Sequence, residues 1–192
     1  KNCKWGNALV IWLKAAIATG LRPNEWQTAM LTEDNGRIIL RSENFKRNEQ
    51  RSYADFRDID LTDTPDEIVS FVKQQVSIVQ GMIKNNMMET YYNGCASLLY
   101  WCNKTLWKKR KANITLYTGR HQFSANAKAD KNVSDVERAA LMGHKTTKTS
   151  TERYGKARSG SKGLTPKIAD KSVLSLISDP ISSKPKRTFT SK

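Results

Sequence analysis

Two late segments of the sequence hold the side chains best suited to chemistry. In LMGHKTTKTSTERYG, His144 stands ten residues before Tyr154 in a polar, basic run. In LYTGRHQFSANA, Arg120 and His121 stand at the start of a predicted helix, where backbone N–H groups and a guanidinium together favour an anion. A tyrosine becomes a usable nucleophile when nearby cations stabilise its phenolate. These residue types suit the attack of a tyrosine on an anionic group.

A further cation, Arg22, belongs to TGLRPNE, directly after a predicted helix end. Each of these residues also has a purely structural interpretation. Arg22 could lie on the surface, and Arg120 with His121 could cap a helix. His144 could satisfy the carbonyls of a last helical turn, and Tyr154 could be a half-buried core residue. Residue type alone does not separate the two interpretations.

The elements that must position these residues can be predicted from periodicity and turn signals. Residues 7–20 have apolar positions at three-to-four spacing and end at Gly20, which predicts a helix. A short helix starts at Pro23, and Asp34-Asn35-Gly36 predicts a β-hairpin turn before a third strand in RSYADFRDIDL. The predicted fold is mostly α with a small antiparallel β-sheet, an α+β class. Its later helices are predicted at residues 64–83, 89–111, 118–130 and 134–143.

The motifs resemble, in type, order and spacing, the catalytic domain of the tyrosine recombinases, the phage integrase family. The segments that carry the resemblance are TGLRPNE, a lysine in the following hairpin, TGRHQFSANA, LMGH and TERYG, and it covers residues 8 to 158. The resemblance implies the DNA breaking-rejoining fold. The hairpin lysine is Lys46, 24 residues after Arg22, although Arg47 beside it leaves a second register open. The implied catalytic residues are Arg22, Lys46, Arg120, His144 and Tyr154.

The resemblance implies a site-specific recombinase or integrase that cleaves and rejoins DNA through a covalent 3′-phosphotyrosine. Arg22 and Arg120 would neutralise the charge that develops on the non-bridging phosphate oxygens, because guanidinium forks stay charged at any working pH. Lys46 would protonate the leaving 5′-oxygen, with His144 supporting the phosphate. No metal and no cofactor is expected. With two histidines and no C-x-x-C pair, the sequence also argues against a zinc site.

One motif departs from the family pattern. The family usually has H-x-x-R at the second arginine, whereas YTGR places Tyr117 at the histidine position. Tyr117 can donate a hydrogen bond to a phosphate oxygen, but with a reference pKa near ~10 it is a poor base at neutral pH. Tyr117 and His121 are therefore assigned as possible supporting residues, and Tyr117 competes with Tyr154 for the role of nucleophile.

Two other functions remain open from the sequence. A type IB topoisomerase shares this chemistry but relaxes supercoils as a monomer. A DNA-binding protein with a degenerate active site is the second alternative, and Tyr117 in the histidine position favours it slightly. Supercoil relaxation would identify the first, and failure to form a covalent DNA complex would identify the second.

The charge of the chain predicts a polyanion as its partner, and the resemblance implies that this polyanion is double-stranded DNA. The formal net charge is +15, and the excess lies in the second half, where residues 103–192 contain 21 basic and 6 acidic residues. Phosphate neutralisation by such a surface gives affinity without sequence preference. A solvated basic surface without function is the alternative. The predicted DNA-binding residues are Lys108, Lys109, Arg110, Lys111, Lys145 and Lys148.

Domain organisation follows from the resemblance and from composition. Residues 1–158 are predicted to be the catalytic domain, and 159–192 a basic C-terminal tail with a possible docking segment, SVLSLI. A flexible tail without a partner is the alternative. The N-terminal DNA-binding domain of the family is expected to be absent from this chain, and the full-length protein is expected to self-associate as a tetramer on DNA.

The sequence predicts no membrane association. No apolar run reaches the eighteen or so residues that a membrane span needs. The odd number of cysteines, Cys3, Cys95 and Cys102, suits reduced thiols. We therefore expect a cytoplasmic protein that is nucleoid-associated when bound to DNA.

Overall fold

The computed structural model describes residues 3–45, 52–152, 156–163 and 165–178. Within these ranges the chain is mixed α+β and mostly helical, as predicted, with one four-stranded antiparallel sheet in the order β1-β2-β3-β4. The strands are β1 (Met30–Asp34), β2 (Arg37–Glu43), β3 (Phe56–Asp60) and β4 (Lys167–Ile168). The helices are α1 (Gly6–Thr19), α2 (Asp66–Lys84), α3 (Met88–Thr105), α4 (Thr118–Ala129), α5 (Asp135–Leu141) and α6 (Thr147–Glu152).

Helix α1 is the centre of the core and packs against α2, α3 and α4. Its inward face carries Trp12 and Ala16, both fully buried, because apolar residues recur at helical spacing along it. The ring of Trp12 lies 5.2 Å, centroid to centroid, from that of Tyr91 on α3. In the described part of the chain, no helix combines the length and the apolar character that crossing a membrane requires.

The sheet begins with the hairpin that the sequence predicts. Asn35 and Gly36 both have positive φ, 47° and 78°, as a two-residue turn of the primed type requires. Strand β2 then pairs with β3, and Leu40 lies opposite Ile59 in the buried centre of the sheet. The sheet and α1 are joined by a 3₁₀ helix, Pro23–Thr28, at the position predicted for a short helix.

The segment predicted as a tail forms part of the same folded body. Strand β4 pairs with β3 and buries Ile168, and the apolar SVLSLI lies in a 3₁₀ helix, Lys171–Leu176. The backbone of Ser178 then pairs with residues 145–147, just after His144. The described chain therefore packs on itself well beyond the expected domain end at residue 158. A two-residue strand has too little pattern to be found in a Lys/Ser/Pro-rich sequence.

Helix α3 ends earlier than predicted. It stops at Thr105, whereas the sequence predicts a helix to residue 111. The cationic residues 108–111 therefore lie in a loop after the helix. The amide side chain of Asn103 explains the turn, because it donates to the carbonyl of Ile114 at 2.8 Å and accepts from its N–H at 2.9 Å. These two hydrogen bonds hold Ile114 against α3, so the chain between residues 106 and 114 forms a loop that returns to the helix.

Candidate functional site

Three predicted residues that are far apart in the sequence meet around one buried carboxylate. Arg22, Arg120 and His144 are 6%, 0% and 3% exposed, and Glu25 beside them is 1% exposed. We call these residues, together with Arg57, the arginine cluster. The surface interpretation of Arg22 is therefore wrong.

Arg22 reaches the cluster because the chain turns sharply after α1. Gly20 ends α1 in the left-handed conformation, and Arg22 precedes the 3₁₀ helix that contains Glu25. The Glu25 carboxylate accepts from the backbone N–H of Arg22 at 2.7 Å and from its guanidinium at 2.5 Å. This ion pair between residues three positions apart fixes the Arg22 side chain.

Arg120 is placed by a close approach of two helices. A side chain on Gly119 would put its Cβ 2.6 Å from the Cβ of Ala16, so only glycine lets α4 lie this close to α1. From there Arg120 donates to the carbonyl oxygens of Gly20 and Met142, each at 2.5 Å. Its guanidinium also lies 3.9 Å from the Glu25 carboxylate.

His144 follows the end of α5, where Gly143 has a φ of 62°. The Nε2 atom of His144 lies 3.1 Å from a guanidinium nitrogen of Arg120. Because a guanidinium has no acceptor, Nε2 accepts this bond, and the proton of the neutral ring is assigned to Nδ1. Burial, and then the neighbouring guanidinium groups, lower the pKa of His144 to about 2, so the ring is neutral at physiological pH.

Arg57 is a member of the cluster that the sequence analysis missed. Its guanidinium lies 2.6 Å from one oxygen of Glu25 and 3.3 Å from the other, and it also donates to the amide oxygen of Asn44. A signal was present, because Arg57 alternates with Ile59 of β3 and with Leu61 directly after the strand, and both of those residues are fully buried. An arginine at an inward strand position indicates a buried anionic partner.

Glu25 itself was also missed as the centre of the site. Burial alone would raise the pKa of the Glu25 carboxyl, but the guanidinium groups of Arg57, Arg120 and Arg22 outweigh it and hold that pKa well below its usual range. With three guanidinium groups, one carboxylate and a neutral imidazole, these five groups carry net positive charge. Such a cluster suits an anion, and phosphate matches the planar donor geometry of arginine.

Two predicted catalytic residues, Lys46 and Tyr154, lie outside the described residues. Phe45, next to Lys46, is hydrogen-bonded to the arginine cluster, and Thr151, close to Tyr154, is hydrogen-bonded to α4 and α5. The backbone N–H of Phe45 donates to the Glu25 carboxylate at 3.3 Å. Helix α6 is held where Thr151 accepts from Arg138 through its hydroxyl and from the Lys128 ammonium through its carbonyl, both at 3.0 Å.

The residues assigned as possible supporting groups lie at the start of α4. The rings of Tyr117 and His121 meet edge to face with centroids 5.3 Å apart, Tyr117 being half-buried and His121 exposed. Burial, and then the charge of Arg120, lower the pKa of His121. Both residues are neighbours of Arg120 in the helix.

The predicted DNA-binding residues differ in exposure. Lys108, Lys109, Arg110 and Lys111 are exposed, as is Lys148, whereas Lys145 is half-buried next to the paired Ser178. Within the described ranges, no three histidine, cysteine or acidic side chains lie together in an arrangement that could hold a metal ion.

Comparison of the chain with protein-family models, with curated proteins and with solved structures gives no match. A functional assignment therefore rests on the residues of the site and their geometry.

Proposed function

We propose that this chain is the catalytic domain of a tyrosine recombinase that cleaves and rejoins DNA through a 3′-phosphotyrosine. One observation carries the proposal. The guanidinium groups of Arg22 and Arg120 lie 2.5 Å and 3.9 Å from the Glu25 carboxylate, and His144 lies 3.1 Å from Arg120. These residues meet although more than a hundred positions separate Arg22 from His144 in the sequence. The single carboxylate offsets only one of the three guanidinium charges, so the cluster keeps a net positive charge that suits an anion.

In the proposed reaction the phenolate oxygen of Tyr154 attacks the phosphorus of a phosphodiester. The new bond joins Tyr154 to the 3′-phosphate while the bond to the 5′-oxygen breaks, and Lys46 gives its proton to that oxygen. A 5′-hydroxyl then reverses the step, so the bond energy is kept and no nucleotide cofactor is consumed. The guanidinium groups of the cluster neutralise the charge that develops on the non-bridging oxygens.

The contacts of the cluster suggest separate roles for its members. Glu25 holds Arg22 and Arg57 in fixed orientations through short charged bonds, which is the preorganisation that transition-state stabilisation needs. His144, being neutral, serves as a hydrogen-bonding group and does not act as a cation. Arg57 touches Glu25 and Asn44 and is therefore a positioning residue in this proposal.

The proposal includes a rearrangement on DNA binding. Arg22 and His144 are 6% and 3% exposed, and Arg120 is completely buried. A phosphodiester must lie within about 3 Å of the guanidinium nitrogens to be stabilised by them. The chain around the cluster therefore has to move when DNA binds, so free phosphate should bind much more weakly than a DNA site.

The decisive test is covalent trapping on a nicked DNA substrate that loses its 5′-fragment after cleavage, because religation is then impossible. We expect a protein–DNA adduct that survives denaturant, with the label mapping to Tyr154. Tyr154→Phe should abolish the adduct, and Tyr117→Phe should retain it. An adduct on Tyr117 would overturn the assignment of the nucleophile, and the absence of any adduct with bound DNA would favour the degenerate-site alternative.

The arginine roles require variants that keep the fold. Arg120→Lys preserves the charge but not the planar fork, and we expect it to slow adduct formation by roughly 10²–10³-fold. DNA affinity and the unfolding transition of the variant are measured alongside, to separate chemistry from folding. Relaxation of supercoiled plasmid by the wild-type chain alone would instead support the topoisomerase alternative.

Adduct formation is also expected to survive EDTA, since the guanidinium groups do the work that a metal ion would otherwise do. Loss of the adduct in chelator and its return with magnesium would contradict the arginine account.

A further inference from the structure

The end of α3 presents large apolar side chains to solvent. Tyr100 and Leu106 are each 62% exposed and Trp101 is 53% exposed. Surface side chains of this size are common singly, but here three of them fall within seven residues at one end of a helix. We call Tyr100, Trp101 and Leu106, together with the adjoining basic loop 108–111, the α3 platform.

The platform is cationic throughout. The ammonium of Lys104 lies 5.6 Å from the centroid of the Tyr100 ring, and four further cations follow in residues 108–111. No acidic residue occurs in the sequence between Glu89 and Asp130. Exposed aromatic rings in a stretch of sequence whose charged residues are all basic are suited to an anionic partner that also has flat rings.

The platform is held in place by bonds that do not involve its own rings. Asn103 ties α3 to Ile114 through two hydrogen bonds, which fixes both ends of the basic loop. Trp107 is partly buried against the core, so the loop has an anchor between Leu106 and Lys108. Residues 105–110, which include Leu106 and most of the basic loop, line a shallow depression of about 420 Å³. Rings presented by a rigid helix lose little entropy when they bind.

We propose that the α3 platform binds single-stranded DNA, with unpaired bases stacking on Trp101 and Tyr100 and phosphates contacting the basic loop. Stacking on exposed aromatic rings beside a cationic track is the general mode of single-strand recognition, because every base has a π-face. Paired bases in a duplex present only their edges, so the rings have no role in binding a duplex. This surface is separate from the arginine cluster, and the inference holds whether or not that cluster cleaves DNA.

The test uses fluorescence anisotropy with a labelled oligothymidylate of about twelve nucleotides and an abasic oligomer of equal length. The wild-type chain should bind the thymidylate at least about 25-fold more tightly than the abasic strand, since stacking contributes roughly 5- to 150-fold per base and two rings are proposed to stack. Trp101→Ala should remove most of that difference and leave abasic binding unchanged. Phe56→Ala, which removes a 48% exposed ring on β3, is the matched control and should bind both strands like wild type.

A second variant separates stacking from charge. Lys108→Ala/Lys109→Ala should weaken binding to both strands equally, because it removes phosphate contacts alone. The proposal is overturned if the wild-type chain does not distinguish the strands, or if Trp101→Ala weakens both equally. It is also overturned if Trp101→Ala leaves both affinities intact but alters self-association, which would make the platform a protein interface. Because Trp101 is exposed, its removal should not change the unfolding transition.

Discussion

At the scale of single residues, the buried carboxylate of Glu25 determines the character of the site. Its two oxygens take bonds from Arg22, Arg57 and the backbone at residue 45, and the fully buried Arg120 lies nearby. A buried charge is tolerated only when it is paired and hydrogen-bonded. The cluster therefore has two roles, one in the stability of the fold and one, as proposed, in catalysis. Each role can be tested separately.

Glu25→Gln should be strongly destabilising. The change leaves buried guanidinium groups without their anion, and breaking a buried pair costs about 3–5 kcal/mol. Urea unfolding measures the loss, with Glu33→Gln as the control, because Glu33 forms an ion pair with Lys73 at the surface. The control should change the free energy of unfolding by less than about 1 kcal/mol. Equal effects of the two changes would contradict the account of the cluster.

His144 should make stability depend on pH below its unfolded-state pKa near 6.5. The folded state holds the ring neutral, with a pKa of about 2, whereas the unfolded chain binds a proton, so stability falls as pH falls. Between pH 7.5 and pH 5.5 this one group should remove about 1.4 kcal/mol of unfolding free energy.

Between pH 7.5 and pH 5.5, the unfolding free energy of His144→Asn should fall by about 1.4 kcal/mol less than that of wild type. His121→Asn is the comparison. The pKa of exposed His121 is also lowered, by a smaller amount than that of His144, so this change should flatten the slope less. Parallel curves for wild type and His144→Asn would show that the buried ring is not neutral. The carboxyl of Glu25, whose pKa is also lowered, should add further acid sensitivity only below its unfolded-state pKa of 4.5.

At the scale of elements, the contact between α1 and α4 places Arg120. Ala16 and Gly119 form this contact without room for one more carbon. Helix propensity alone favours alanine over glycine, so the glycine is explained by packing.

Gly119→Ala should therefore destabilise the chain by about 1–3 kcal/mol, as overpacking does. The matched control is Gly81→Ala in α2, where the added Cβ meets nothing within 4 Å. That control should gain up to about 1 kcal/mol from helix propensity. The double variant Ala16→Gly/Gly119→Ala should recover part of the loss. Thermal or urea unfolding reports all three, and stabilisation by Gly119→Ala would disprove the close contact.

The C-terminal segment should contribute to stability through β4. Ile168 is 6% exposed and packs in the core, so Ile168→Ala should cost about 2–4 kcal/mol. Leu176, in the 3₁₀ helix that follows, is 54% exposed, and Leu176→Ala should change stability by no more than about 0.5 kcal/mol. If both changes proved neutral, the segment would not be folded on the chain in solution.

At the scale of the whole molecule, the uneven charge predicts how DNA binding depends on salt. Changing Lys108 and Lys109 to Ala should weaken duplex binding uniformly across sequences and reduce the slope of log K against log salt by about one to two units. The control changes Lys73 and Lys84 of α2, which belong to the charge-balanced first half of the chain. If the Lys108→Ala/Lys109→Ala variant bound DNA like wild type at every salt concentration, the basic loop would not contact DNA.

The sequence by itself determined the fold class, the position of α1 and the hairpin turn. These depend on local rules, since periodicity, capping and turn chemistry act within a few residues. The sequence also singled out Arg22, Arg120 and His144, whose catalytic roles stay predictions. Lys46 and Tyr154 remain predictions from the sequence, because they lie outside the described residues.

Only the tertiary structure decided that the three motif residues meet around Glu25, that Arg57 joins them from β3, and that β4 adds a fourth strand to the sheet. The end of α3 at Thr105 was also decided there, by the bonds between Asn103 and Ile114. Each of these depends on contacts between residues that are eleven or more positions apart in the sequence. The free energy of such a contact appears only once the partners have come together. A local pattern can therefore indicate a buried position, as the strand alternation does for Arg57, but it cannot identify the partner.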